Sequence, residues 1–80
     1  MFYTYILKSK IGEKYYVGYT SDLDARLRKH NSGSNKSTIK FKPWEVVYFE
    51  SLLDKKSAWL REQQIKRYKG GEAFKKLLKN

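Results

Sequence analysis

An 80-residue chain with no cysteine and a single histidine has no disulfide, no thiolate metal site and no His-rich zinc centre open to it. Eighteen Lys and Arg against eight Asp and Glu give a formal charge of +10, so polyanions are its natural partners, although ribosomal RNA or an anionic membrane surface would satisfy charge alone. No apolar run approaches the ~18 residues of a membrane span and no basic region precedes the short apolar stretch of "MFYTYILKSK", which points to a soluble, cytoplasmic, single-domain protein with a thin core.

"FYTYILK" (2–8) and "KYYVGYT" (14–20) are β-branched and aromatic, and the "SKIGE" between them supplies a glycine, the pattern of a β-hairpin. A turn centred near Lys10 and Ile11 sets Tyr5 opposite Tyr16. Ser21 then serves as an N-cap with Asp24 three residues on, and Leu23 and Leu27 form the core stripe of a helix over 22–31. The other face of that helix carries Asp22, Arg26 and His30 at successive i,i+4 steps. "NSGSNKSTIKFKP" has no period and ends at the only proline, Pro43, as a mobile basic loop would.

"WEVVYFE" (44–50) is a third strand, apolar on both faces near its centre, as expected where helices cover a sheet. A helix follows from Asp54 to about Tyr68, and beyond Gly70-Gly71 comes a short last helix holding Ala73, Phe74, Leu77 and Leu78. The order β-β-α-β-α-α predicts an α+β fold, a three-stranded, mainly antiparallel sheet flanked by helices. The last twenty residues carry seven Lys and Arg against two Glu, which concentrates positive charge at that end.

On a helical wheel Ala58, Trp59 and Ile65 define the apolar side of the second helix, and Glu62 falls between Ala58 and Trp59. A carboxylate there must be paired, hydrogen-bonded or bound to a cation. An ion pair with a nearby Lys or Arg is the plain reading. The functional one is a ligand for Mg²⁺, which takes one or two protein oxygens and keeps waters or substrate phosphates in its other positions. Asp22 is better explained as a charge favourable to the helix dipole. The tyrosines, Arg26 and His30 likewise have plain readings as core, surface charge and helix cap. Together they match the needs of phosphodiester hydrolysis: a base for water, a cation on the phosphate and a metal on the leaving oxygen.

The ordered series "YTYIL", "YYVGYTSDLDARLRKH", "WEVVYFE" and "AWLREQQIK" resembles a GIY-YIG endonuclease domain of the small single-domain bacterial kind, the URI, Slx1-like and UPF0213-type branch. The resemblance covers nearly the whole chain. It implies the GIY-YIG fold, with the first motif on Tyr3, Thr4 and Tyr5, the second on Tyr16, Val17 and Gly18, the helix arginine at Arg26, the frequent histidine at His30 and the metal-binding glutamate at Glu62. It further implies Mg²⁺-dependent (or Mn²⁺-dependent) hydrolysis of DNA, with Tyr5 and Tyr16 sharing the assignment as base. The chain departs from the family where Tyr3-Thr4-Tyr5 replaces Gly-Ile-Tyr and where Tyr19 stands in place of a lysine found in excision-repair relatives. The asparagine that many members carry after the glutamate has only Asn80 to match it.

Arg28, Lys29, Lys36, Lys40, Lys66, Arg67 and Lys69 are the candidate phosphate contacts, with DNA as the expected partner, RNA as a second, no membrane, and a monomer as the acting form. The alternative is a catalytically weak or inactive nucleic-acid-binding module that keeps the fold; a third reading is an accessory protein for a repair or ribosomal partner. The enzyme reading requires Tyr5, Tyr16, Arg26 and Glu62 to line one concavity while Tyr3 or Tyr15 points elsewhere, and it fails if Glu62 lies on the opposite side of the sheet from Arg26. Gly18 is expected to let backbone and substrate approach closely beside them.

Overall fold

The computed structural model describes residues 1–79 of the chain; Asn80 lies outside the described residues. Strands β1 (Phe2–Ser9), β2 (Tyr15–Thr20) and β3 (Trp44–Leu52) form one antiparallel sheet in the order β2-β1-β3. Helices α1 (Leu23–Ser32), α2 (Lys55–Arg67) and α3 (Glu72–Lys79) complete the α+β architecture. The central strand β1 is buried on both faces at Thr4, Tyr5, Ile6 and Leu7. Alternate side chains of β1 therefore seed two separate cores. Tyr5 and Leu7 pack with Trp44 and with Leu23 and Leu27 of α1, whereas Ile6 packs with Ile65 of α2 and Phe74 of α3. Burying each such aliphatic or aromatic side chain stabilises the fold by about 1.5–3 kcal/mol.

The hairpin register differs from the expected one. Tyr5 faces Gly18, and Tyr16 faces Leu7. The shift is of two residues, which preserves the face, so Tyr5 and Tyr16 still stack diagonally with ring centroids 6.4 Å apart. The reversal closes with a Ser9 N–H bond to the Lys14 carbonyl, two residues wider than a turn at Lys10 and Ile11 allows. On β3, Val46 and Val47 occupy the space of one residue opposite the Ile6–Leu7 step, a bulge.

The cap of α1 is Asp22 and not Ser21: its carboxylate accepts from the Ala25 N–H at 3.0 Å. Both residue types cap well, and the choice is made by Thr20, whose hydroxyl accepts from the Asp22 N–H at 3.1 Å and turns the chain one residue later. Gly33, at φ 84°, ends the helix in the left-handed conformation. The segment from Ser34 to Pro43 is more structured than the mobile loop expected of it. It contains a 3₁₀ turn at Ile39–Phe41 and is tied to the body by Trp44 Nε1 donating to the Thr38 carbonyl and Ser9 Oγ donating to the Phe41 carbonyl.

In α2, Ala58, Glu62 and Ile65 are buried as the wheel requires, but Trp59 is 45% exposed. Asp54 caps the helix by accepting from Ser57 N–H, and Thr4 Oγ1 donates to the Ala58 carbonyl at 2.8 Å, which anchors α2 to the centre of the sheet one turn before Glu62. Because Thr4 and Tyr5 point to opposite faces, α1 and α2 lie on opposite faces of the sheet. The helices that carry Arg26 and Glu62 therefore do not share a side of the sheet, against expectation, and the mechanism that needs the two residues together rests on their side chains lining one concavity.

Candidate active site

Side chains from the two helices reach one concavity beside the edge strand β2. A concavity of about 470 Å³ straddles that edge, lined by Tyr5, Tyr16, Gly18, Tyr19, Thr20 and Arg26 with Phe2 and Ser21, and by Lys55 and Glu62 from α2. The cavity wraps around the sheet, so side chains from opposite faces share it. Tyr3 and Tyr15 are absent from its wall. Tyr3 packs edge-on against Phe49 and Tyr15 against Phe74.

Gly18 makes this possible in an unexpected way. A Cβ at this position would sit 2.6 Å from the Tyr5 hydroxyl oxygen and 2.8 Å from its ring. The space left by the missing side chain is filled by the Tyr5 phenol, which crosses the edge strand, and not by backbone or substrate. Val17, one residue earlier, belongs to the core under α2.

His30 is fully buried at the end of α1, where a helix cap stabilised by the dipole was one reading. Its Nδ1 lies 3.0 Å from Thr38 Oγ1 and its Nε2 3.3 Å from the Tyr5 hydroxyl. The Thr38 hydroxyl donates to the Asn35 carbonyl at 3.4 Å, so its oxygen accepts from Nδ1–H. In the neutral ring, Nε2 is then left as an acceptor for the Tyr5 O–H. Burial, and after it the Arg26 charge, hold the His30 pKa below its ordinary 6.5 and keep the ring neutral. The Tyr5 phenol is pushed well above 10, by burial first and by the neighbouring Tyr16 second; Arg26 pulls it down and Glu62 pushes it up.

Glu62 is 8% exposed, with Gln63 Nε2 donating to Oε1 at 2.9 Å and Lys66 Nζ 3.5 Å from Oε2. The ion-pair reading of this carboxylate is thus correct as far as it goes. Lys66 is half exposed and can swing into water, so the contact is a weak clamp. No cluster of three or more His, Asp or Glu side chains exists among the described residues. A lone carboxylate oxygen on the wall of an open polar cavity suits a hard cation that keeps most of its ligands as water or phosphate, and suits a zinc-type centre badly. Arg26 has no ion-pair partner among the described residues.

The basic residues divide. Lys29 and Lys36 line a hollow that shares Arg26 with the cavity, and Lys66 and Lys69 line another that shares Tyr16 with it. Arg28, Lys40 and Arg67 are exposed but line none of these hollows. Sequence reasoning missed Lys55, which the wheel could have found seven residues before Glu62 on the same stripe. It also missed Thr38, a loop residue that no periodicity marks.

No helix among the described residues is long and apolar enough to cross a membrane. The chain is 43% identical over 68 residues to a UPF0213 protein of Clostridium perfringens, covering 84% of this chain and 72% of that one. It is 39% identical over 67 residues to a UPF0213 protein of Haloquadratum walsbyi, covering 82% and 74%. The solution structure of the UPF0213 protein BH0048 from Bacillus halodurans is 38% identical to it, with a TM-score of 0.48 over 84% of this chain and 72% of that one. A family model described as the GIY-YIG catalytic domain matches residues 1–75, which include Tyr5, Tyr16, Arg26 and Glu62, and the chain belongs to that family.

Proposed function

We propose that the chain acts as one nuclease-like domain, a monomeric Mg²⁺-dependent endonuclease that hydrolyses phosphodiester bonds in DNA, with branched or otherwise irregular DNA in repair or recombination as its setting. The observation that carries this reading is one open cavity lined by three tyrosines, Tyr5, Tyr16 and Tyr19, by the Arg26 guanidinium, which has no ion-pair partner among the described residues, and by the buried Glu62 carboxylate. Arg26 receives the phosphate, its planar fork spanning two oxygens as charge develops on them. Glu62 would hold the Mg²⁺ once Lys66 turns away, and that ion would supply charge stabilisation at the leaving oxygen.

Tyr5 and Tyr16 share the role of taking the proton from water. Burial raises the Tyr5 phenol and lowers His30, so the Tyr5 O–H donates to the His30 Nε2 lone pair without proton transfer and is fixed in direction by it; Arg26, which pulls the phenol down, is the group that favours its ionisation. Thr38, by holding Nδ1–H, keeps that lone pair facing the phenol. Lys29, Lys36, Lys66 and Lys69 extend the phosphate path to either side of the cavity, with Arg28, Lys40 and Arg67 as outlying contacts that act through long-range charge. RNA would meet the same phosphate contacts.

The test is incubation with Mg²⁺ or Mn²⁺ and a panel of duplex, nicked, flap, branched and single-stranded DNA and RNA, alongside Glu62→Ala and Arg26→Ala. Metal-dependent cleavage lost in both variants supports the reading. Cleavage indifferent to Glu62→Ala contradicts it, and binding without cleavage on every substrate establishes the alternative, an inactive binding module.

A further inference from the structure

Lys55, Trp59, Glu62 and Lys66 follow one another along α2 at steps of four, three and four residues, so they form one stripe on one face of the helix. Lys55 and Glu62 both line the cavity. Trp59 sits between them on that stripe, one turn from each, with Cβ neighbours about 5–6 Å away. It is 45% exposed, and among the described residues its ring has no aromatic partner and its indole N–H no hydrogen bond. Trp59 is not itself in the cavity wall, but a large flat aromatic surface on the helix stripe that supplies Lys55 and Glu62 to that wall, bracketed by Lys55 and Lys66, is the combination by which proteins hold unpaired bases: stacking on the ring while lysines meet the phosphates.

We infer that Trp59 is a stacking platform for a nucleobase next to the phosphate held at Arg26, and that it confers a preference for substrates with an unpaired nucleotide at that position. This rests on the proposed nuclease reading for the direction of the strand, and it adds the substrate class that the site selects. A base inside a continuous duplex is already stacked on both sides and cannot lie on the indole without being extruded. Frayed ends, flaps and single strands offer the base without that cost. Exposed Leu53 and Leu60 are also near in sequence, but an aliphatic surface does not discriminate a flat π-face, and this separates a base from a protein partner in the test.

The experiment measures binding without chemistry, by anisotropy of labelled single-stranded, flap and continuous-duplex DNA in EDTA, for the wild type and for Trp59→Ala, Trp59→Leu and Trp59→Phe. Base stacking of ordinary strength predicts about 5- to 150-fold weaker binding of the single-stranded and flap substrates by the Ala and Leu variants, little change for Phe, and at most about a twofold change on continuous duplex. The chain has two tryptophans, and Trp44 is 4% exposed, so indole emission quenched by an unlabelled single strand in the wild type should lose most of that quench in Trp59→Phe. This second readout stands even if the Ala variant folds poorly.

Equal loss on duplex and single strand, a Leu variant that binds like wild type, quenching that persists in Trp59→Phe, or no binding by the wild type would each overturn the inference. Because no arm uses cleavage, failure here with Glu62-dependent cleavage intact leaves the nuclease reading standing. Stacking without cleavage leaves the platform standing and removes the enzyme.

Discussion

Helix α2 presents two glutamate–arginine pairs that differ in one respect. Glu50 on β3 is gripped by Arg61, whose Nε lies 2.9 and 3.0 Å from its two oxygens and whose Nη2 lies 2.7 Å from Oε2, while the Tyr48 hydroxyl donates to the same carboxylate. Burial alone would raise the Glu50 pKa, but the Arg61 and Tyr48 hydrogen bonds outweigh it and hold the group below its ordinary value. At the next residue of α2, Glu62 faces a cavity in which Arg26 has no carboxylate partner among the described residues. The first pair is closed and fastens α2 to β3. The second is held open by the sheet edge between its members, and its unsatisfied charges are complementary to a cation and a phosphate. Two similar sets of residues thus separate into fastening and chemistry by whether the fold lets them touch.

The contrast can be broken from either end. The largest effects belong to the open set: Glu62→Ala and Arg26→Ala should each lower the cleavage rate by about 10³-fold, and Tyr5→Phe by about 10²–10⁴-fold, measured in single-turnover assays on end-labelled DNA. Gly18→Ala comes next. It introduces a methyl where the Tyr5 phenol lies, so the hydroxyl must shift, and a displacement on the order of 1 Å predicts about a 10²-fold slower reaction with at most about 1–3 kcal/mol lost in urea unfolding. On the closed side, Arg61→Ala leaves Glu50 partly buried without its partner and should cost about 2 kcal/mol of stability, discounted for the roughly one-fifth of each side chain that water reaches.

The smallest effect is the pH dependence of His30. Its pKa in the folded chain lies below 6.5, so the unfolded chain binds the proton first as pH falls. Stability is therefore full above pH 6.5 and declines as pH drops from 6.5 toward the folded pKa, with no further change below it. Cleavage should fall over the same acid limb, because a protonated ring cannot accept from Tyr5. The groups facing the ring are Tyr5 from β1, Tyr16 from β2 and Arg26 from its own helix. As the single histidine of the chain, it gives one imidazole signal to follow by proton NMR.

The parts of this arrangement that were legible in the sequence are those with a period. Leu23 and Leu27 mark the buried face of α1, and Glu62 betrays itself as a charge on an apolar stripe. Trp59 was misread for the same reason that Glu62 was found: a wheel shows which face a residue occupies, but not whether that face meets the core or the rim of a cavity. Tyr5, Tyr16, Arg26 and Glu62 were named from the motifs, but the place of their concavity was hidden because it depends on the strand order β2-β1-β3, which leaves β2 as the edge beside which side chains of α1 and α2 share a wall. The two-residue register shift came from a hairpin loop wider than the glycine implied. Thr38 carried no signal, since its role comes from a loop folding back on a helix end.

If the open pair performs the chemistry and the closed pair fastens the fold, one crossed measurement separates the two. Glu62→Gln and Glu50→Gln are compared for Mg²⁺-dependent cleavage of branched DNA per folded molecule and for the midpoint of urea unfolding. Glu62→Gln should lose about 10³-fold in cleavage with a near wild-type midpoint, while Glu50→Gln should lower the midpoint and cleave within about threefold of wild type. Cleavage by Glu62→Gln within about tenfold of wild type, or its abolition by Glu50→Gln alone, would contradict that division.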